Sequence, residues 1–408
     1  MGPRWDLRSA AMTSATLSFP DGFTWGTATA AHQIEGGNLN NDWWAFEHDP
    51  KSGTTEVSGD ACDSYHRWAT DADLVAELGF DNYRFSIEWS RIEPAAGEFS
   101  QAALDHYARI CEGLRERGVS PVVTFHHFTT PIWLAEKGGW ELPETAERFA
   151  EFSSRAAARL DGLMDRACTI NEPNIVAVCG WLMGVFPPGK TVGSEQTEAV
   201  SRVFIDAHRR SVDAIRSASP GTPVGLTLSM SDYVAVDGGE EAMIEERRLM
   251  EDIFLEATDG DDFIGVQTYS RARVGPHGHV GPEEGVEVLP MGYEYWPRAL
   301  EATLRRAWDV TGGRTPLIVT ENGIGTDHDS QRVAFLHDSL RGVLRVIDDG
   351  IDVRGCTCWS LLDNFEWAFG YRPKFGLVSV DRTTFERTPK PSARWLSEVV
   401  RAGALKAP

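Results

Sequence analysis

Residues 316–323, Pro316-Leu-Ile-Val-Thr-Glu-Asn-Gly323, form an apolar run that stops abruptly at a carboxylate followed by Asn and Gly. An apolar run of this kind reads as a parallel strand buried on both faces. A carboxylate at its end, Glu321, reads as a group held at a reaction centre. Cys168-Thr-Ile-Asn-Glu-Pro173 has the same design and carries Glu172. Positions 172 and 321 are so far apart in the chain that only a shared fold brings them together. Paired carboxylates with no metal-binding pattern beside them point to glycosidic-bond chemistry.

Working outward from these segments, short apolar runs alternate with helical patterns, and eight such runs are present: 23–30, 82–89, 121–128, 167–173, 223–230, 263–270, 316–323 and 353–361. Eight parallel strands close a barrel. Between them Val333, Leu336, Leu340, Val343, Leu344 and Ile347 make one helical stripe ending at Gly350, and Leu104, Tyr107, Ala108, Cys111 and Leu114 make another. Ser100 is placed to cap the second and Gly118 to end it. The Gly/Pro-rich stretch 273–290 reads as a surface loop after the sixth strand. The predicted architecture is one (β/α)8 barrel over residues 16–408, preceded by a flexible segment 1–15.

In such a barrel catalytic groups sit at the C-terminal strand ends. There the sequence places Arg84 and Glu88 (strand two), His126 and His127 (three), Asn171 and Glu172 (four), Tyr269 (six), Glu321 (seven) and Trp359 (eight), with Glu366 and Trp367 just beyond.

The composition narrows the ligand. Of 408 residues 14 are Trp, and the net charge of -22 would repel nucleic acids and anionic membranes. Neutral ligands fit better: an indole offers a flat apolar face and one N–H, which suits a sugar ring. Most of the Trp residues are expected simply to fill the core. Six cysteines in so long a chain do not make a disulfide framework and are read as reduced thiols. The start, with Met12 as an alternative to Met1, lacks the apolar stretch of a secretory signal. A cytoplasmic enzyme acting on a small-molecule glycoside is expected, with no nucleic-acid or membrane partner and no cofactor. Adjacent His126 and His127, with His32 or His66 nearby, invite a metal reading, but consecutive strand side chains face opposite ways, so no metal site is predicted.

At this point the chain resembles glycoside hydrolase family 1, the retaining β-glucosidases and β-galactosidases. The resemblance rests on five motifs in order: 23–36, Phe23-Thr-Trp-Gly-Thr-Ala-Thr-Ala-Ala-His-Gln-Ile-Glu-Gly36; 83–92, Tyr83-Arg-Phe-Ser-Ile-Glu-Trp-Ser-Arg-Ile92; Thr169-Ile-Asn-Glu-Pro-Asn174; Val319-Thr-Glu-Asn-Gly323; and Trp359-Ser-Leu-Leu-Asp-Asn-Phe-Glu-Trp367 followed by Phe375-Gly-Leu377. It implies that Glu321 is the nucleophile and Glu172 the acid/base, supported by Arg84, Asn171 and Tyr269. It implies sugar recognition by Gln33, His127, Trp359, Glu366 and Trp367, with Asn171 at the 2-hydroxyl. The implied activity is exo-hydrolysis of terminal β-D-glycosyl residues, glucose foremost, with galactose and fucose sharing the same contacts. A 6-phospho-β-glycosidase and a non-catalytic sugar-binding barrel are the rival readings; the second would be expected to lose one of the two glutamates. The chain departs from the family pattern at Thr129-Thr130, at Gln267 where Asn is usual, at Lys374 where Arg is commoner, and at Tyr293 where Trp is frequent.

Overall fold

The computed structural model describes residues 16–406. Its centre is a closed barrel of eight strands: β1 (Thr24–Ala28), β2 (Asn82–Ser86), β3 (Ser120–His126), β4 (Arg166–Asn171), β5 (Val224–Ser229), β6 (Phe263–Gln267), β7 (Leu317–Asn322) and β8 (Val353–Trp359). Every neighbouring pair is parallel, and β8 returns to β1 with Gly355 beside Thr24 and Trp359 beside Ala28. All eight predicted runs are strands, each ending one to a few residues earlier than its apolar run. The strand at 17–18 pairs with 404–405 and ties the two ends of the described chain together.

Helices such as Gln101–Glu116, Glu144–Arg159, Ser194–Ala218 and Asp329–Asp348 cover the outside, and their buried faces join the strands in one apolar core. The helix over 101–116 starts where Ser100 accepts a hydrogen bond from the Ala103 amide, as its sequence predicts. Inside the barrel space is tight: a Cβ at Gly265 would lie 2.6 Å from the Thr227 side chain and 2.7 Å from that of Thr320.

The adjacent histidines separate as strand geometry requires. His126 points outward among Trp140, Phe149 and Phe204, and burial lowers its pKa to about 3, so the ring is neutral. His127 points into the site.

Two expectations need comment. Residues 1–15, read as flexible, lie outside the described residues. The stretch read as a loop is in part a small sheet: residues 271–275 pair in parallel with 232–235 and form a hairpin with 278–279. The alternation in Arg271-Ala-Arg-Val-Gly275 was masked by the Gly and Pro around it, and its main partner strand is distant in sequence, so no local signal announces it.

Candidate active site

The strand ends and the segments that follow them bring nine of the ten predicted site residues around one cavity of about 150 Å³: Gln33, His127, Asn171, Glu172, Tyr269, Glu321, Trp359, Glu366 and Trp367. Arg84, the tenth, lies beneath it, 1% exposed.

Arg84 organises the floor. Its Nη1 donates to Glu321 Oε1 at 2.5 Å and its Nη2 to Asn171 Oδ1 at 2.5 Å. The Tyr269 hydroxyl donates to Glu321 Oε2 at 2.5 Å, so both nucleophile-candidate oxygens accept a bond and neither is free to turn. Gln267 Nε2 donates to Asn171 Oδ1 at 3.1 Å. With Oδ1 taken by these donors, the Asn171 amide nitrogen faces His127 Nε2 at 3.2 Å, which leaves the imidazole proton on Nδ1.

The two glutamates meet different surroundings. Burial pushes both carboxyls up. At Glu321 the Arg84 charge and the Tyr269, Arg84 and Gln267 hydrogen bonds oppose that rise. At Glu172, pushed well above the usual range, burial is reinforced by the negative charge of Glu321. Glu321 therefore ionises first and Glu172 keeps its proton to higher pH. Backbone geometry isolates Glu172 further: it sits at φ 44° in the left-handed region, immediately before Pro173 opens a short helix. Phe128 and Trp367 at the same rim also have positive φ. Such conformations cost about 1–3 kcal/mol each and cluster where side chains must be aimed rather than relaxed.

The far wall is polar and incompletely paired. Gln33 Nε2 donates to Phe365 O at 2.8 Å and Asn364 Oδ1 at 3.0 Å and lies 3.3 Å from Glu366 Oε2. Trp359 Nε1 reaches Glu366 Oε1 at 3.4 Å. Burial pushes the Glu366 carboxyl well above its ordinary value. Among the described residues, Gln33 Oε1, His127 Nδ1, Glu172 Oε1 and the Tyr293 hydroxyl at the cavity have no partner, nor does Gln267 Oε1 behind Asn171. Buried polar atoms are rarely left so, and a ligand rich in hydroxyls would complete them.

One functional contact escaped the sequence reading. His32 lies nearly parallel to Trp367, centroids 5.6 Å apart and planes 8° off. Its Nδ1 faces the amide nitrogens of Asn38 and Asn41, and its Nε2 faces buried Glu47 at 3.3 Å. Both ring nitrogens are thus engaged, which removes the metal-ligand role considered for His32. Glu47 also accepts from the Ser58 hydroxyl at 2.6 Å. His32 was visible beside Gln33; Glu47 belongs to a separate helix, Asp42–Glu47, and nothing local links it to the site. Glu47→Leu is expected to leave the His32 and Ser58 donors unpaired, costing about 1–3 kcal/mol of stability. Because the indole loses its backing, KM for an aryl β-glucoside should rise more than kcat falls; thermal denaturation and steady-state kinetics check both.

The family model described as glycosyl hydrolase family 1 matches residues 15–259 and 281–404. The chain is 35% identical to "Thermostable beta-glucosidase B" of Thermobispora bispora, covering 98% of this chain and 94% of the relative. It is 34% identical to the "Bifunctional beta-D-glucosidase/beta-D-fucosidase" of Bifidobacterium breve, over 93% and 97%. The crystal structure of the β-glycosidase BGL167 superposes with a TM-score of 0.88 at 48% identity, covering 96% of this chain and 99% of that one. The fold, the paired strand-end carboxylates and this match along nearly the whole length place the chain in glycosyl hydrolase family 1.

Proposed function

We propose that the protein is a retaining exo-β-glycosidase acting on terminal β-D-glucosyl residues, with galactosyl and fucosyl residues as further substrates, and that residues 16–408 form one catalytic domain. The observation that carries this reading is the unequal treatment of the two glutamates. Glu321, held by Arg84 and Tyr269, is suited to attack the anomeric carbon as a carboxylate. Glu172, which keeps its proton, is suited to deliver it to the departing oxygen. The bond from C1 to the leaving oxygen breaks as the bond from C1 to Glu321 forms. Once Glu321 is esterified its charge is gone, the pKa of Glu172 falls, and Glu172 can take a proton from the water that displaces Glu321. A binding-only barrel would need neither the ionisation difference nor the clamp on Glu321.

Gln33 and Glu366 are suited to pair with neighbouring hydroxyls at the far end of the sugar, His127 Nδ1 and the Trp367 indole add single bonds, Asn171 serves the 2-hydroxyl, and Trp359 lies against the ring. The small cavity volume favours one terminal ring over a threaded chain. Among the described residues no helix is long and apolar enough to cross a membrane. Six unpaired cysteines fit a reducing, cytoplasmic setting.

The rival substrate is a 6-phosphorylated sugar. Its phosphate would lie beside Glu366, and neither Arg372 nor Lys374 lines the cavity: Arg372 Nη2 donates to Pro290 O and Lys374 Nζ to Tyr371 O. Placing a dianion against this buried acidic wall is costly even at a moderate effective dielectric. An aryl β-glucoside is therefore expected to be cleaved at least about a hundredfold more efficiently than its 6-phosphate, near 2.7 kcal/mol in the transition state. Comparable kcat/KM for the two would transfer the assignment to the phospho-glycosidases.

A further inference from the structure

A second cavity, of about 440 Å³, opens off the first on the side of Glu172. Glu172, Ile175, Tyr269 and Tyr293 line both, so the acid/base carboxyl stands at their junction. Since the group that receives the Glu172 proton must leave on this side, the second cavity is where a leaving group would rest. Much of its outer wall, residues 271–273 and 279–280, falls within 260–280, the stretch that the family model does not match.

The wall carries three basic side chains, and two of them are spent. Arg271 donates to Glu283 at 2.5 Å, pairs with Glu294, and lies over the Trp296 ring at 3.8 Å. His279 pairs with Glu246. Arg273 differs: its Nη1 donates to the Gly281 carbonyl at 2.8 Å, and no carboxylate among the described residues comes within ion-pair distance of it. A backbone carbonyl fixes a guanidinium without neutralising it, and four donors remain. Arg271 and Arg273 alternate along the strand Arg271–Gly275 and share one side of it, just beyond Tyr269. The chain covers at most about 13 Å between Tyr269 and Arg273; an aryl ring with a para carboxylate covers roughly half of that, and the long arginine side chain can cover the rest.

We infer that this cavity is a leaving-group subsite in which Arg273 recognises an anionic group, a carboxylate at the outer end of an aryl or sugar aglycone. The inference rests on the β-glycosidase reading above. The overall charge of -22 works against anions at long range, but that field is screened over about 10 Å in ordinary buffer, whereas a guanidinium–carboxylate contact acts at hydrogen-bond distance and binds in two parallel bonds. A leaving group whose carboxylate reaches Arg273 gains that contact in the Michaelis complex and in the glycosylation transition state alike, so the gain appears in kcat/KM.

The test compares 4-carboxyphenyl β-D-glucoside with 4-carbamoylphenyl β-D-glucoside, which are alike in shape and differ in charge, on the wild-type enzyme, Arg273→Gln and Arg273→Lys. Taking the carboxylate-to-amide ratio of kcat/KM within each enzyme and then comparing enzymes cancels the difference in leaving-group acidity. The ratio is expected to be at least fivefold higher in the wild type than in Arg273→Gln, about 1 kcal/mol, and to be largely kept in Arg273→Lys. If Arg273→Gln does not fold, a wild-type ratio that is insensitive to added salt overturns the subsite, because an ion contact at a part-exposed arginine is screened. An equal ratio in wild type and Arg273→Gln, with the amide still cleaved, overturns the subsite and leaves the glycosidase reading standing. Cleavage of neither glucoside overturns both.

Discussion

Turnover of an aryl β-glucoside is expected to fall by about four orders of magnitude or more in Glu321→Gly, a loss of at least about 5 kcal/mol of transition-state stabilisation. The substitution removes the atom that bonds to C1, and water in its place is a poorer nucleophile with no fixed position. It also leaves Arg84 Nη1 and the Tyr269 hydroxyl pointing at an empty site. That geometry makes the loss reversible in a diagnostic way. A small anion such as azide, drawn to the uncompensated Arg84 charge, occupies the space of the carboxylate and attacks the same face of the sugar. Rescue should yield the α-glycosyl azide, measured by NMR of the product. A β-azide from this variant would mean that the roles of Glu321 and Glu172 are exchanged.

Why the site could be read so far from sequence is visible in where its parts lie. Six strand ends supply Arg84, His127, Asn171, Glu172, Tyr269, Glu321 and Trp359, and strands announce themselves as apolar runs. A carboxylate that interrupts such a run has no structural reason to be there, so Glu172 and Glu321 stand out from the other acidic residues. His126 and His127 could be assigned to opposite faces by alternation alone. The support behind the sugar wall gave no such signal. Glu47, Asn38 and Asn41 reach His32 from a loop and a separate helix through side-chain contacts that follow no period. The small sheet at 271–275 was hidden for a related reason: it pairs with 232–235, and long-range pairing leaves no mark in a short window of sequence. Arg273 acquires its place only through that sheet. What sequence reveals here is the barrel and the groups on its strands; what it conceals is what loops bring together.

Gln267 shows the limit from another side. It is one methylene longer than the Asn usual at this position in the family. The side chain reaches Asn171 Oδ1 at 3.1 Å and leaves its own Oε1 unpaired. The departure is thus absorbed into the network that orients Asn171 rather than expelled from the site. That accommodation depends on β5, β6 and β7 being held in register around the small interior position Gly265.

Glu172→Ala is expected to produce a loss that depends on the leaving group. For an alkyl β-glucoside, whose departing oxygen needs a proton, kcat/KM should fall by about 10³ to 10⁴, the upper range of general-acid catalysis. For 2,4-dinitrophenyl β-glucoside, whose leaving group departs unprotonated, kcat/KM should change little, while kcat and KM fall together because water attacks the glycosyl-enzyme without a base. Azide should then give the β-glycosyl azide, opposite to the Glu321 variant, since it attacks an α-linked intermediate. The pH profile carries the same assignment. Burial and the Glu321 charge raise the Glu172 pKa, so its acid form is present below that raised pKa and kcat/KM for the alkyl glucoside is lost as pH rises through it; this alkaline limb should be absent in Glu172→Ala and for the dinitrophenyl substrate. Stability should move in the same sense with pH. Between the unfolded carboxyl pKa, near 4.3, and the raised folded value, the native state binds more protons than the unfolded chain, so stability falls as pH rises through that window. Glu172→Gln, which removes the buried titrating group while keeping its shape, should therefore raise the thermal midpoint at neutral pH and leave it nearly unchanged at acid pH. A midpoint lowered at neutral pH would show that Glu172 is a stabilising carboxylate, and the acid/base role assigned to it would lose its physical basis.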